Sequence, residues 1–385
     1  MRAPVALVLV TACAGCAPAG TFSRAPLPGA SRNEIARVTQ YVGAANEASL
    51  LRLLKVNFYK AWLTEFGPDA VPPTVVNFHL NPSDAVTLDT VAAGMADGEG
   101  SISALLLLQF TPEAISALSQ SLSVAEVQRF GAIVNQYQAP VRHRIERVGA
   151  RIAAVANRAD ITFTLDPAFG LNAGAPHALN AKTVFVGPQI VLLTESDDEL
   201  AAVLGHEVAH ITQGHTRAGA IRDAVVTTLQ VTAMVAVAAA AANSNQRLSQ
   251  QQLTASMVGA AALTGLAARG AVTASGYTRD NERDADYYGI QLATAAGYDS
   301  VGAARVFTKL AMLEKGLGGQ SAIPFLVDHP GGAERVVRAV KEVGRLRARD
   351  GDFFEEGLGC WTVSLPNAKC TTCCSGTSIC LNDCG

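Results

Sequence analysis

Ser196-Asp197-Asp198-Glu199-Leu200-Ala201-Ala202-Val203-Leu204-Gly205-His206-Glu207-Val208-Ala209-His210 is the stretch on which the reading of this 385-residue chain turns. It opens like a helix. Ser196 is a capping residue and Glu199 stands three places on, the pattern of a capping box. Leu200, Val203, Leu204, Val208 and Ile211 recur at helical spacing, and Gly214 marks a stop. Inside this helix lies His-Glu-x-x-His. Histidines four apart stand one above the other on one face. Their imidazoles can hold one metal ion, and zinc suits nitrogen ligands. Glu207 follows the first histidine and can reach a metal-bound water without taking a coordination position.

A catalytic zinc needs a third protein ligand and one open position. Asn281-Glu282-Arg283-Asp284-Ala285-Asp286 supplies it, on a helix expected from Thr278 to Ala296 and stopped at Gly297. Glu282 completes a two-His, one-Glu site. Asp286, one turn on, shares its face and can accept a hydrogen bond from a ligand histidine, fixing its tautomer. Read alone, this segment is an exposed charged helix with internal ion pairs; the His-Glu-x-x-His helix decides for metal. His215 reads as a cap on the helix end. His79, His143 and His177 have no support as ligands.

Around these helices the patterns are mixed. Ile161 to Leu165 and Lys182 to Val186 alternate like strands, and a helix is expected over 141–157. Farther upstream, 33–66 is helical in spacing, Val75 to Phe78 reads as a strand, and Thr111-Pro112-Glu113 opens a further helix. A basic amphipathic helix over 333–349 reads as a solvated face. Two alanine-rich runs, 224–242 and 253–268, read as a helical hairpin packed on the protein, with a membrane span as the rival. The fold class expected is α+β, mainly α. The organisation expected is a signal peptide (1–16), a linker (17–32), a helical accessory region (33–138), a zinc metallopeptidase domain (139–350) and a Cys-rich tail (357–385).

Both ends suggest export. Arg2 and a short apolar run precede Val10-Thr11-Ala12-Cys13, which reads as a lipobox; Cys16 is the competing lipidation site. The residue pattern favours Cys13. Parity favours Cys16, because it leaves six cysteines to pair. Those six are Cys360, Cys370, Cys373, Cys374, Cys380 and Cys384, all within the last 26 residues. Three disulfides would staple a segment too small for its own core, with a second zinc site as the rival. The net charge of -3 and the 6% aromatic content leave nucleic acid without electrostatic or stacking support.

The segment from about 140 to 349 resembles the HtpX/BepA/LoiP type of zinc metallopeptidase, peptidase family forty-eight of the metallo class. The resemblance rests on the two stretches quoted, together with His329-Pro330 and Arg335 six residues after that histidine. It implies a gluzincin core with one zinc held by His206, His210 and Glu282, Glu207 as catalytic base and Asp286 behind a ligand histidine. It also implies a catalytic-site role for His329 and Arg335, with His329 acting as transition-state donor or as inhibitory extra ligand. The substrate would pair antiparallel with an edge strand, here Lys182-Thr183-Val184-Phe185-Val186. Where the family has a Pro-Gly-Gly turn, this chain has Pro176-His177-Ala178. The expectation is an endopeptidase on the periplasmic side of the bacterial envelope, lipid-anchored in the outer membrane. It would act on unfolded or misassembled polypeptides and have a link to envelope assembly machinery. The competing readings are a non-catalytic zinc-bearing chaperone and a membrane-embedded processing protease.

Overall fold

The computed structural model describes residues 29–70, 104–120, 122–221, 277–318 and 332–349, with Leu27, Asp223 and His329, and the backbone of five strands elsewhere. Cys13, Cys16, the start of the linker and both alanine-rich runs lie outside the described residues.

Helices α1 (Arg32–Tyr41) and α2 (Glu47–Phe66) open the fold, capped by Ser31 and Asn46. Two-residue strands β1 (Phe78–His79) and β2 (Gly100–Ser101) pair in parallel. Short helices α3 (Ala104–Leu107) and α4 (Pro112–Ala117) lead into α5 (Val124–Val155). Helix α5 is longer than expected. The Ser123/Glu126 capping box starts it 17 residues before Val141, and it continues through Pro140. The expected boundary at 138/139 therefore falls inside one unbroken helix.

A three-stranded sheet follows: β3 (Thr162–Leu165), β4 (Ala173–Gly174) and β5 (Thr183–Val186), in the order β3-β5-β4. β5 is parallel to β3 and antiparallel to β4, with Ala173 opposite Val186 and Gly174 opposite Phe185. The expectation that Lys182–Val186 is a sheet edge does not hold: β5 is the middle strand. The reason is β4, two small residues with no alternation for a sequence pattern to reveal.

The rest of the core is helical. Short α6 (Pro188–Leu193) precedes α7 (Asp197–Thr212), the His-Glu-x-x-His helix. Residues 199–211 of α7 are all buried, because α5, α8 (Arg279–Ala295) and α9 (Val301–Gly316) surround it. Ser196 caps α7 through the Glu199 N–H. The Glu199 carboxylate does not complete the box: it accepts from the Glu195 N–H and from Lys309, a fully buried ammonium. Arg144 of α5 ties the α6–α7 turn down, donating to the Val191 and Thr194 carbonyls and to Asp197. Helix α10 (Gly332–Arg349) packs on α9 and α1. In the tail, β6 (Gly359–Leu365), β7 (Ala368–Ser375) and β8 (Ser378–Cys384) form an antiparallel sheet whose register sets Cys360 and Cys380 opposite Cys373. No helix among the described residues is long and apolar enough to cross a membrane.

Candidate metal centre

Two helices meet at the site through glycine. A methyl carbon on Gly205 of α7 would lie 2.5 Å from the Gly289 carbonyl oxygen, and one on Gly289 of α8 would lie 2.6 Å from the His206 nitrogen. Only hydrogen fits there, so the helix backbones touch one residue from the first histidine. This contact carries Glu282, two turns before Gly289, to the imidazoles.

There His206, His210, Glu282 and His329 converge, all buried. His206 Nε2 lies 3.0 Å from His210 Nε2 and 3.1 Å from His329 Nδ1. Glu282 lies 3.4 Å from His206 Nε2, 3.2 Å from His210 Nε2 and 3.1 Å from His329 Nδ1. Hydrogen bonds cannot satisfy so many converging lone pairs at once. Donors about 2.0–2.1 Å from a tetrahedral zinc stand about 3.3–3.4 Å apart, close to these separations. The donor set, imidazoles and one carboxylate, also suits that metal. Glu207, fully buried, stands 3.5 Å from His329 Nε2, and among the described residues neither of its carboxylate oxygens has a hydrogen-bond partner. A buried carboxylate left in this way needs a donor, and a water beside a metal supplies one.

Behind the ligand atoms the rings are held. His206 Nδ1 lies 2.9 Å from Asp286 Oδ1. Arg335 grips the same carboxylate with both prongs, at 2.6 and 3.0 Å, and its guanidinium lies over the Phe307 ring. Arg335 was expected on a solvated face and grouped with the catalytic residues. It is buried behind His206 rather than solvated, because Asp286 and the His329 carbonyl draw it inward. His210 is flanked by Tyr277, whose ring stacks on it at 3.6 Å and whose hydroxyl donates to the Ala175 carbonyl. Its Nδ1 lies 3.1 Å from His215 Nδ1. Sequence reasoning missed Tyr277 and took His215 for a cap. His143 and His177 are not among the converging donors: His143 pairs with Glu65, and His177 pairs with Asp223 and meets the Tyr277 ring edge-on at 5.1 Å.

Burial and the neighbouring charges push these groups in opposite directions. Burial opposes ionisation of Glu282, yet the facing His329 and His206 hold its carboxyl well below the usual range. Burial likewise opposes charge on Asp286, and Arg335 outweighs it. His206 is pushed up to about 9: burial lowers it, but Glu282 and Asp286 together prevail. Burial pushes His210 well down and His215 down to about 4.

Metallopeptidases are the enzymes built on this geometry, a His-Glu-x-x-His helix completed by an acidic residue from a later one. Comparison with known proteins agrees. The chain belongs to Peptidase family M48, whose family model matches residues 140–343. It is 28% identical over 204 residues to a Vibrio cholerae protein named as a beta-barrel assembly-enhancing protease, covering 53% of this chain and 38% of that one. It is 34% identical over 140 residues to Metalloprotease LoiP of Escherichia coli, covering 36% and 47%. It is 28% identical over 209 residues to the mitochondrial metalloendopeptidase OMA1 of Schizosaccharomyces pombe, covering 53% of each. The chain thus spans between 38% and 53% of the length of these relatives. No solved structure matches it significantly.

Proposed function

We propose that the chain is a zinc endopeptidase of the bacterial cell envelope that cleaves unfolded or misassembled proteins, with one zinc held by His206, His210 and Glu282. The observation that carries this reading is the buried Glu207 carboxylate, without a hydrogen-bond partner among the described residues, beside the converging imidazoles. A bound zinc supplies Lewis acidity, polarising a peptide carbonyl and acidifying water. Glu207 takes the proton of the attacking water and returns it to the leaving amine. Asp286 and Arg335 hold His206 in its ligand orientation. An extended substrate pairs with the outer edge of β4, beside the site because Tyr277 joins the His210 ring to Ala175. Main-chain pairing reads little sequence, which suits unfolded chains. Glu207→Gln is expected to keep its zinc and lose casein cleavage; cleavage at the wild-type rate refutes Glu207 as the base.

A second reading has support in His329. Its Nδ1 stands among the ligand atoms, in the corner that water would need. This favours a resting, closed site, opened when His329 withdraws.

Lipidation at Cys13 or Cys16 would tether the enzyme to the outer membrane on its periplasmic side, with a link to envelope assembly machinery that the Vibrio relative's beta-barrel assembly-enhancing name supports. Three disulfides among Cys360, Cys370, Cys373, Cys374, Cys380 and Cys384 would brace the tail sheet. Palmitate labelling of Cys13→Ala and Cys16→Ala chains tests the first, and thiol titration before and after reduction tests the second.

A further inference from the structure

We propose that His215 is a positioning residue for the metal centre: it accepts a hydrogen bond from His210 and fixes that ligand's tautomer and ring angle. The inference rests on the reading of His210 as a metal ligand. His210 Nε2 faces His206 Nε2 at 3.0 Å and Glu282 at 3.2 Å, so its lone pair belongs to the centre. A neutral imidazole using Nε2 in this way carries its proton on Nδ1. That atom lies 3.1 Å from His215 Nδ1. His215 must then present a bare Nδ1 and keep its own proton on Nε2, the nitrogen that faces Asp284 across 3.9 Å.

The two ligand histidines are therefore backed differently. His206 leans on a carboxylate that Arg335 holds in place. His210 leans on a neutral ring, and Tyr277 packs against its face. In an unbroken helix, a residue five places beyond His210 would lie about 140° round the axis, away from the ligand. Gly214, at φ +77°, breaks α7, and the helical run resumes at residue 215 on a new path. The buried His215 ring thereby returns to within 5.1 Å of the His210 ring.

The test compares wild type, His215→Leu and His215→Asn in the full chain. Zinc affinity is measured by competition with a chromophoric chelator, and ligand geometry by the visible spectrum of the cobalt-substituted protein. His215→Leu is expected to weaken zinc binding 10–100-fold and to shift the cobalt bands. His215→Asn, which retains an acceptor, is expected to recover most of both. His215→Leu affinity within twofold of wild type, with an unchanged cobalt spectrum, overturns the proposal. A measurement free of variants stands beside these. Nitrogen-15 shifts of His215 in the zinc-loaded wild type should report the Nε2–H tautomer, and the Nδ1–H tautomer refutes it. A wild type that binds no zinc, by contrast, refutes the metal reading itself.

Discussion

Gly289→Ala places a methyl group where α7 and α8 touch. The new carbon would stand 2.6 Å from the His206 nitrogen and 2.7 Å from its Cα. Ordinary carbon contacts are about 3.5–4.0 Å, so the helices must part by about 1 Å. Both neighbours are backbone, and no side chain can rotate away. Parting the helices carries Glu282 from His206 and His210, now 3.4 and 3.2 Å away, while metal bonds tolerate only about 0.2 Å. The substitution should cost about 1–3 kcal/mol of stability as overpacking, and a displacement of this size should lower proteolysis on the order of 10²-fold. Urea denaturation, chelator competition for zinc and casein cleavage read the three effects. Gly131→Ala in α5 is the control: its methyl meets only the Ile115 side chain, at 3.5 Å, and a gain of about 0.5–1 kcal/mol is expected from helix propensity. If Gly289→Ala holds zinc and melts like the wild type, the glycine contact does not set the site.

Arg335→Met leaves the buried Asp286 carboxylate with His206 but without its guanidinium and should cost about 3–5 kcal/mol in urea denaturation; Arg335→Lys should not restore it, since one ammonium cannot grip both oxygens. Asp197 is held below the ordinary carboxyl range: burial raises it, but Arg147 and Arg144 prevail. A depressed carboxyl stabilises the fold above its unfolded pKa, and that contribution fades as pH falls through the folded value. The stability gap between wild type and Asp197→Asn should therefore be widest near neutrality and shrink as the pH falls below the ordinary carboxyl range; a gap constant with pH refutes the pairing. His329→Ala should raise basal proteolysis if this histidine closes the site and lower it if it serves as donor, a choice that casein turnover at saturating zinc decides.

What could be read in advance had local signals. The His-Glu-x-x-His helix carries its cap, its period and both converging histidines within fifteen residues, and Glu282 and Asp286 lie on a helix with Thr278 as cap and Gly297 as stop. What escaped depends on contacts between distant residues. Arg335 is singled out only by the family resemblance; by pattern it looks like any charge on a basic helix until Asp286, 49 residues away, pairs with it. Tyr277 precedes its helix and carries no periodic signal, yet it lies on His210. β4 is two residues long and exists only because β5 pairs with it. His215 is hidden by its spacing, which points away from the ligand unless the chain turns at Gly214.

Helix α5 has a mechanical consequence. Thirty-two residues of helix make a rod about 48 Å long, whose amino-terminal half precedes the family match and whose carboxy-terminal half is tied to the His-Glu-x-x-His helix through Arg144 and Arg147. Helix α2 packs on this rod, so a pull on α2 would reach α7 through one continuous element. Starting the chain at residue 140, where the family likeness begins, would saw that rod in two.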